Sequence, residues 1–80
     1  MSNATPTTAA QVGAEYAEQI FADRLASGPV DVEQLVNSTH DIPDGDYCWM
    51  RDNGIEPNAR EYWRGYNDRM ADLYVHNYAA

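Results

Sequence analysis

From residue 57 to about residue 77 the chain mixes apolar and polar positions with the period of an α-helix. At about 100° per residue, Ala59, Tyr62, Trp63, Tyr66, Met70, Leu73 and Tyr74 fall within an arc about 120° wide, and Arg60, Glu61, Arg64, Asp68 and Asp72 lie outside it. One face is built for burial. Pro57 suits a first helical turn, and Asn58 followed by Glu61 offers a capping box one residue later. A second stretch, about 9–26, follows a capping Thr7 or Thr8 and is stopped by Ser27, Gly28 and Pro29. On it Val12, Tyr16 and Ile20 share a face with Gly13 and Ala17, flanked by Phe21, while Glu15 and Glu18 point away. Small residues central to one stripe and bulky aromatics central to the other predict that the two long helices pack as a pair, with Gly13 and Ala17 receiving Trp63 or Tyr66. Arg24 also falls in the apolar arc of the first helix, where its stem can lie on the core and its head reach water.

Between the long helices the pattern is shorter. Asp31 caps a predicted helix over about 31–38, with Gln34 completing a capping box and Val30 stapled to Leu35. A Pro43-Asp44-Gly45 turn leads to a predicted helix over about 46–53, capped by Asp46, closed by Gly54, and contributing Tyr47, Trp49 and Met50 to the core. No stretch alternates at a period of two over four or more residues, so no strand is predicted. The expected fold is all-α: one compact domain over 8–80, two long helices packed as a pair and two short ones between them. Residues 1–7, small, polar and interrupted by Pro6, are expected to be disordered.

A chain of 80 residues buries only ~60 to 65% of its unfolded surface, so its stability should be modest, and a partner or a second copy forming a homodimer could add to it. There is no apolar run near the ~20 residues that span a bilayer and no basic-then-apolar start, which predicts a cytoplasmic protein that does not touch membrane. A single cysteine, Cys48, forms no internal disulfide and reads as a small core residue.

Charge changes the picture most. Thirteen acidic residues face five basic ones, all arginine, for a net charge of -8. That balance argues against direct nucleic-acid binding, where Lys and Arg supply the affinity, and favours a basic protein surface as partner. Asp31, Glu33, Asp41, Asp44, Asp46, Asp52 and Glu56 stand against Arg51 alone, while the acids and arginines of the last helix balance. Two readings of this acidic middle stay open: a solvated surface with helix caps at Asp31 and Asp46, or a contact for a basic groove that steers association electrostatically.

Other chemistry finds little support. Placing Gly45 at the sixth position of a calcium loop puts His40 first and Arg51 twelfth, where carboxylates are needed. His40, His76 and Cys48 lack the spacing of a structural zinc site, and no catalytic or cofactor motif is present, so no metal, cofactor or enzymatic activity is expected. The alternative binding surface is the last helix itself, where Arg60, Trp63, Arg64 and the outward Val75 are of the types that anchor interfaces.

Two resemblances bear on function. The run Gly65-Tyr66-Asn67-Asp68-Arg69-Met70-Ala71-Asp72, preceded by Tyr62, resembles the C-terminal stretch of the bacterial ribosome modulation factor, which implies a ribosome-associated regulator or adaptor using this helix. That family is small and basic, whereas this chain carries -8. In size, acidity, helical pattern and scarcity of cysteine the chain is similar to the anti-CRISPR and anti-restriction inhibitors made by phages and mobile elements. That likeness implies a non-enzymatic protein that inhibits a nucleic-acid-binding or nuclease complex by occupying its basic groove, acting in the host cytoplasm, with the acidic middle mimicking nucleic acid.

Overall fold

A computed structural model of the chain describes residues 6–30 and 41–79. All regular structure among them is helical: α1 (Ala9–Ser27), α2 (Asp44–Asp52) and α3 (Ala59–Tyr74), the last continuing as a π-helical turn over Val75–Ala79. The helix expected over 31–38 lies outside the described residues. A radius of gyration of 12.6 Å sits near the ~12 Å of a folded chain of this length and far from the ~28 Å of an unfolded one.

The caps decide between the starts the sequence left open. Thr8 is extended and its Oγ1 accepts from the Gln11 N–H at 3.2 Å, whereas Thr7 donates its N–H and its hydroxyl to Gln11 Oε1, at 2.6 and 3.0 Å. At α3 the side chain of Asn58 accepts from the Glu61 N–H at 3.1 Å, so Asn58 rather than Pro57 begins the helix. Residues 53–58 separate it from α2, whose end is a Schellman motif. Gly54 adopts φ 73, the Gly54 N–H reaches the Arg51 carbonyl at 3.4 Å, and the Ile55 N–H reaches that of Met50 at 2.8 Å. Ile55 and Met50, so joined, are both buried.

The long helices pack as the pair their stripes predict. Ala9, Gly13, Ala17 and Phe21, one ridge of α1 at a spacing of four, are buried with Val12 against Tyr62, Trp63, Tyr66 and Met70 of α3. What Gly13 receives differs from expectation. A Cβ there would overlap the backbone carbonyl oxygen of Tyr62 and stand 2.8 Å from its carbonyl carbon, so the gap left by the missing side chain is filled by main chain rather than by an aromatic ring. Gly65 does the reciprocal service, with the Ala10 carbonyl in its place. Such close approach is open only to glycine. Thr8, Ala9 and Ala10 line one cleft with Asn58 and Glu61, and further along Arg69 Nε meets Glu18 Oε2 at 2.8 Å, so the two helices run in the same direction. The end of α1 and the start of α3 therefore lie about one helix length, ~28 Å, apart.

The aromatics pack beside this contact. Trp63 meets Tyr62 and Tyr66 edge-on at centroid distances of 4.9 and 5.0 Å, and Tyr16 from α1 lies 5.7 Å from Tyr66, arrangements that suit the quadrupoles of the rings. Two expectations about the core need correcting. In α2 only Met50 is buried, while Tyr47, Cys48 and Trp49 are exposed. Cys48 stands two residues, or about 200°, from Met50 and so faces away from the core. Tyr74, placed by the wheel at the rim of the buried arc, is 38% exposed.

Candidate functional site

The acidic residues of the middle segment divide into two kinds. Asp41, Asp44, Asp52 and Glu56 are exposed, and among the described residues none pairs with an arginine. Asp46 is half-buried instead, and its Oδ2 accepts a hydrogen bond from the Tyr62 hydroxyl at 2.6 Å. It is not the N-cap that the sequence suggested. Helix α2 begins two residues earlier, so Asp46 falls inside the first turn, where its charge suits the helix dipole and its side chain reaches α3. Asp31 and Glu33 lie outside the described residues.

The arginines explain why the exposed acids stay uncompensated. Arg69 bridges Glu18 of α1 and Asp72 of its own helix, at 2.8 and 2.6 Å, and Arg64 lies 3.8 Å from Glu61. These exposed pairs add little stability, at most about 1 kcal/mol each. Their consequence is electrostatic, since they use two of the three positive charges of α3 on neighbouring carboxylates and leave Arg60 exposed. Arg51, the one base of the acidic stretch, lies over the Tyr47 ring at 5.9 Å.

The alternative surface on α3 is also divided. Arg60, Arg64 and Val75 are exposed, Val75 at 52%, but Trp63 is 7% exposed and packed edge-on against Tyr62 and Tyr66 inside the core. Its ring cannot anchor a partner without unpacking the helix pair. Among the described residues no three of His, Cys, Asp or Glu converge as metal ligands, and Asp41, Asp44 and Asp46 do not gather into a cation site. No described helix is long and apolar enough to cross a membrane.

The Asp46–Tyr62 contact ties α2 to the helix pair. Burial raises the Tyr62 pKa far above its ordinary value, and the hydrogen bond to Asp46 and the charge of that carboxylate raise it further. Tyr66 is raised too, by burial and then by Tyr16, with Arg24 acting against the shift. Tyr62→Phe is expected to cost about 1 to 2 kcal/mol, the range for a hydrogen bond to a charged group whose carboxylate keeps some water. A urea titration followed by circular dichroism measures it; an unchanged midpoint would mean that the bond holds nothing in place.

Both shifts also set a pH dependence. A hydroxyl that keeps its proton more tightly in the folded chain contributes stability that is complete below pH 10.0, the ordinary tyrosine value. That contribution falls as the pH rises above it, because only the unfolded chain then ionises. The urea midpoint is expected to fall from pH 10 upward, with a late phase of tyrosinate absorbance that coincides with loss of helix. A titration complete before the helices melt would contradict the burial of these two hydroxyls.

Clefts among the described residues flank the helices. One lies at the shared N-terminal ends of α1 and α3, where Glu56 and Glu61 face Thr7 and Thr8. Another, about 280 Å³, lies between α1 and α2 and is lined by Glu15, Tyr16, Asp46 and Trp49 together with Pro6, Val12 and Gln19. Sequence reasoning passed over Glu15, Tyr16 and Gln19 as site residues. Their spacing of three and four along α1 was visible, but the partner wall on α2 was not. No family model matches the chain, and no curated protein or solved structure matches it either.

Proposed function

We propose that this is a non-enzymatic binding protein that occupies the basic surface of a nucleic-acid-binding partner, with Asp41, Asp44, Asp52 and Glu56 as its contact and the α1–α3 pair as its scaffold. The observation that carries the reading is the separation of charge. Two of the three arginines of α3, Arg64 and Arg69, serve carboxylates on α1 and α3, which leaves Asp41, Asp44, Asp52 and Glu56 exposed and without an arginine partner on a chain of net charge -8. Such a surface repels nucleic acid and attracts the proteins that hold it. Occupying a groove meant for phosphates would exclude nucleic acid from it, an inhibition by binding alone, of the kind the likeness to small acidic phage inhibitors implies. Tyr62, Trp63 and Tyr66 are buried, which favours this reading over a ribosome-associated adaptor that docks through the aromatic face of the last helix.

Immobilised protein should capture nucleic-acid-binding proteins from a bacterial lysate at low salt and release most of them between about 50 and 500 mM salt, as the Debye length shrinks to a few ångströms. Capture that is indifferent to salt would point to an apolar contact and discard the proposal.

A further inference from the structure

The geometry points to the cleft between α1 and α2 as the seat of one arginine side chain of that basic partner, an inference that rests on the function just proposed. At about 280 Å³ the cleft is slightly smaller than the ~300 to 1,000 Å³ usual for small-molecule sites, so it suits a single long side chain better than a whole ligand. Its lining has the chemistry a guanidinium takes. Glu15 and Asp46 carry carboxylates that N–H groups can reach, and Trp49 and the half-buried Tyr16 carry rings on which a flat cation can lie. Gln19 adds an amide oxygen. The sequence places these side chains together, because Val12, Glu15, Tyr16 and Gln19 recur at three and four along α1, and Asp46 and Trp49 are three apart on α2.

Three further observations favour a cation. No arginine lines the cleft and the chain has no lysine, so neither carboxylate is neutralised from within. The Tyr62 hydroxyl holds Asp46 by Oδ2 and leaves Oδ1 without a partner among the described residues, so that carboxylate is oriented before any ligand arrives. Trp49 is 36% exposed, although a large ring on a short helix would ordinarily be drawn into the core. Arginine fits better than lysine because its planar, weakly hydrated head can stack and donate in the plane at once.

The test is an NMR titration of the whole chain with acetyl-Gly-Arg-Gly-amide and with its citrulline counterpart, which keeps the shape and removes the charge. The arginine peptide should move the Trp49 indole and the amides of Glu15, Gln19 and Asp46 in a saturable way, with the citrulline peptide binding at least tenfold more weakly. Glu15→Gln and Trp49→Ala should each weaken arginine binding at least tenfold without altering the circular dichroism spectrum; Glu15, which is exposed, keeps the test valid if the tryptophan variant misfolds. Equal binding of the two peptides, no binding, or shifts spread over Asp41, Asp44 and Asp52 instead would overturn the inference. Capture from lysate separates this idea from the one beneath it. If the two cleft variants capture normally while charge reversal of Asp41, Asp44 and Asp52 abolishes capture, the arginine seat is discarded and the broader acidic contact stands. If neither set changes capture, both fall.

Discussion

Gly13→Ala is expected to lower the stability of the folded chain by about 2 to 3 kcal/mol, and Gly65→Ala by a similar amount, although alanine is the better helix former at both positions. Propensity alone would favour alanine by about 1 kcal/mol. Against that gain stands an overlap of main chain with a new methyl group, at Tyr62 for Gly13 and at Ala10 for Gly65, where the carbonyl carbon would be 2.6 Å away. No side chain can swing aside to relieve it. The helices must separate, and separation loosens the contact of Tyr16 with Tyr62 and Tyr66 and the seat of Ala17. Overpacking costs typically 1 to 3 kcal/mol and occasionally more; with main chain as the obstacle on both sides it is about 3 to 4 kcal/mol here, which less the propensity gain leaves the net loss of about 2 to 3 kcal/mol. A domain of 80 residues has a total stability near the low end of about 5 to 15 kcal/mol, so the double variant should be largely unfolded at room temperature. Gly45→Ala is the control, because nothing lies within 4 Å of a Cβ there and its φ is ordinary; it should leave stability unchanged or slightly raised. Urea midpoints by circular dichroism read all three. If Gly13→Ala is as stable as the parent, the close helix contact is wrong.

The second large effect is on binding. Reversing Asp41, Asp44 and Asp52 to lysine moves the net charge from -8 to -2, since each change adds two. It should slow association with a basic partner on the order of a hundredfold at low salt and abolish capture from lysate. Stability should hardly move. All three side chains are exposed, and where Asp44→Lys places a positive charge at the start of α2, Asp52→Lys places one in its last turn, where the helix dipole welcomes it. Asp46 is left out deliberately. Its carboxylate serves Tyr62, so reversing it would unseat α2 from the core and confuse a loss of fold with a loss of binding. Unchanged capture by the triple variant would remove the acidic contact from consideration.

The long helices were legible because each carries its own instructions within one or two turns: Thr8 and Asn58 as caps, Gly28 and Pro29 as a stop, and apolar stripes at the helical period. Their pairing was legible too, from Gly13 and Ala17 opposite a row of aromatics. The direction of the pair was not, because no local pattern states which way a distant helix runs. The inward face of the short helix was read too wide. Tyr47, Trp49 and Met50 span about 160° of helix circumference with Met50 between the other two, and only packing against the rest of the core decides that Met50 alone goes in. The dual character of the acids was hidden for the same reason. Asp46 and Tyr62 are sixteen residues apart, and nothing in either neighbourhood announces that they meet. The α1–α2 cleft exists only once the two helices are side by side.

If the exposed acids occupy a place meant for phosphates, as we propose, nucleic acid and this chain must compete for it. A partner retained from lysate at low salt is titrated with a duplex or single-stranded oligonucleotide that it binds, in the presence of this chain. Mutual exclusion is the expected result, with each ligand displacing the other and no complex of all three. A stable ternary complex, with nucleic acid and this chain bound together at undiminished affinity, would contradict it.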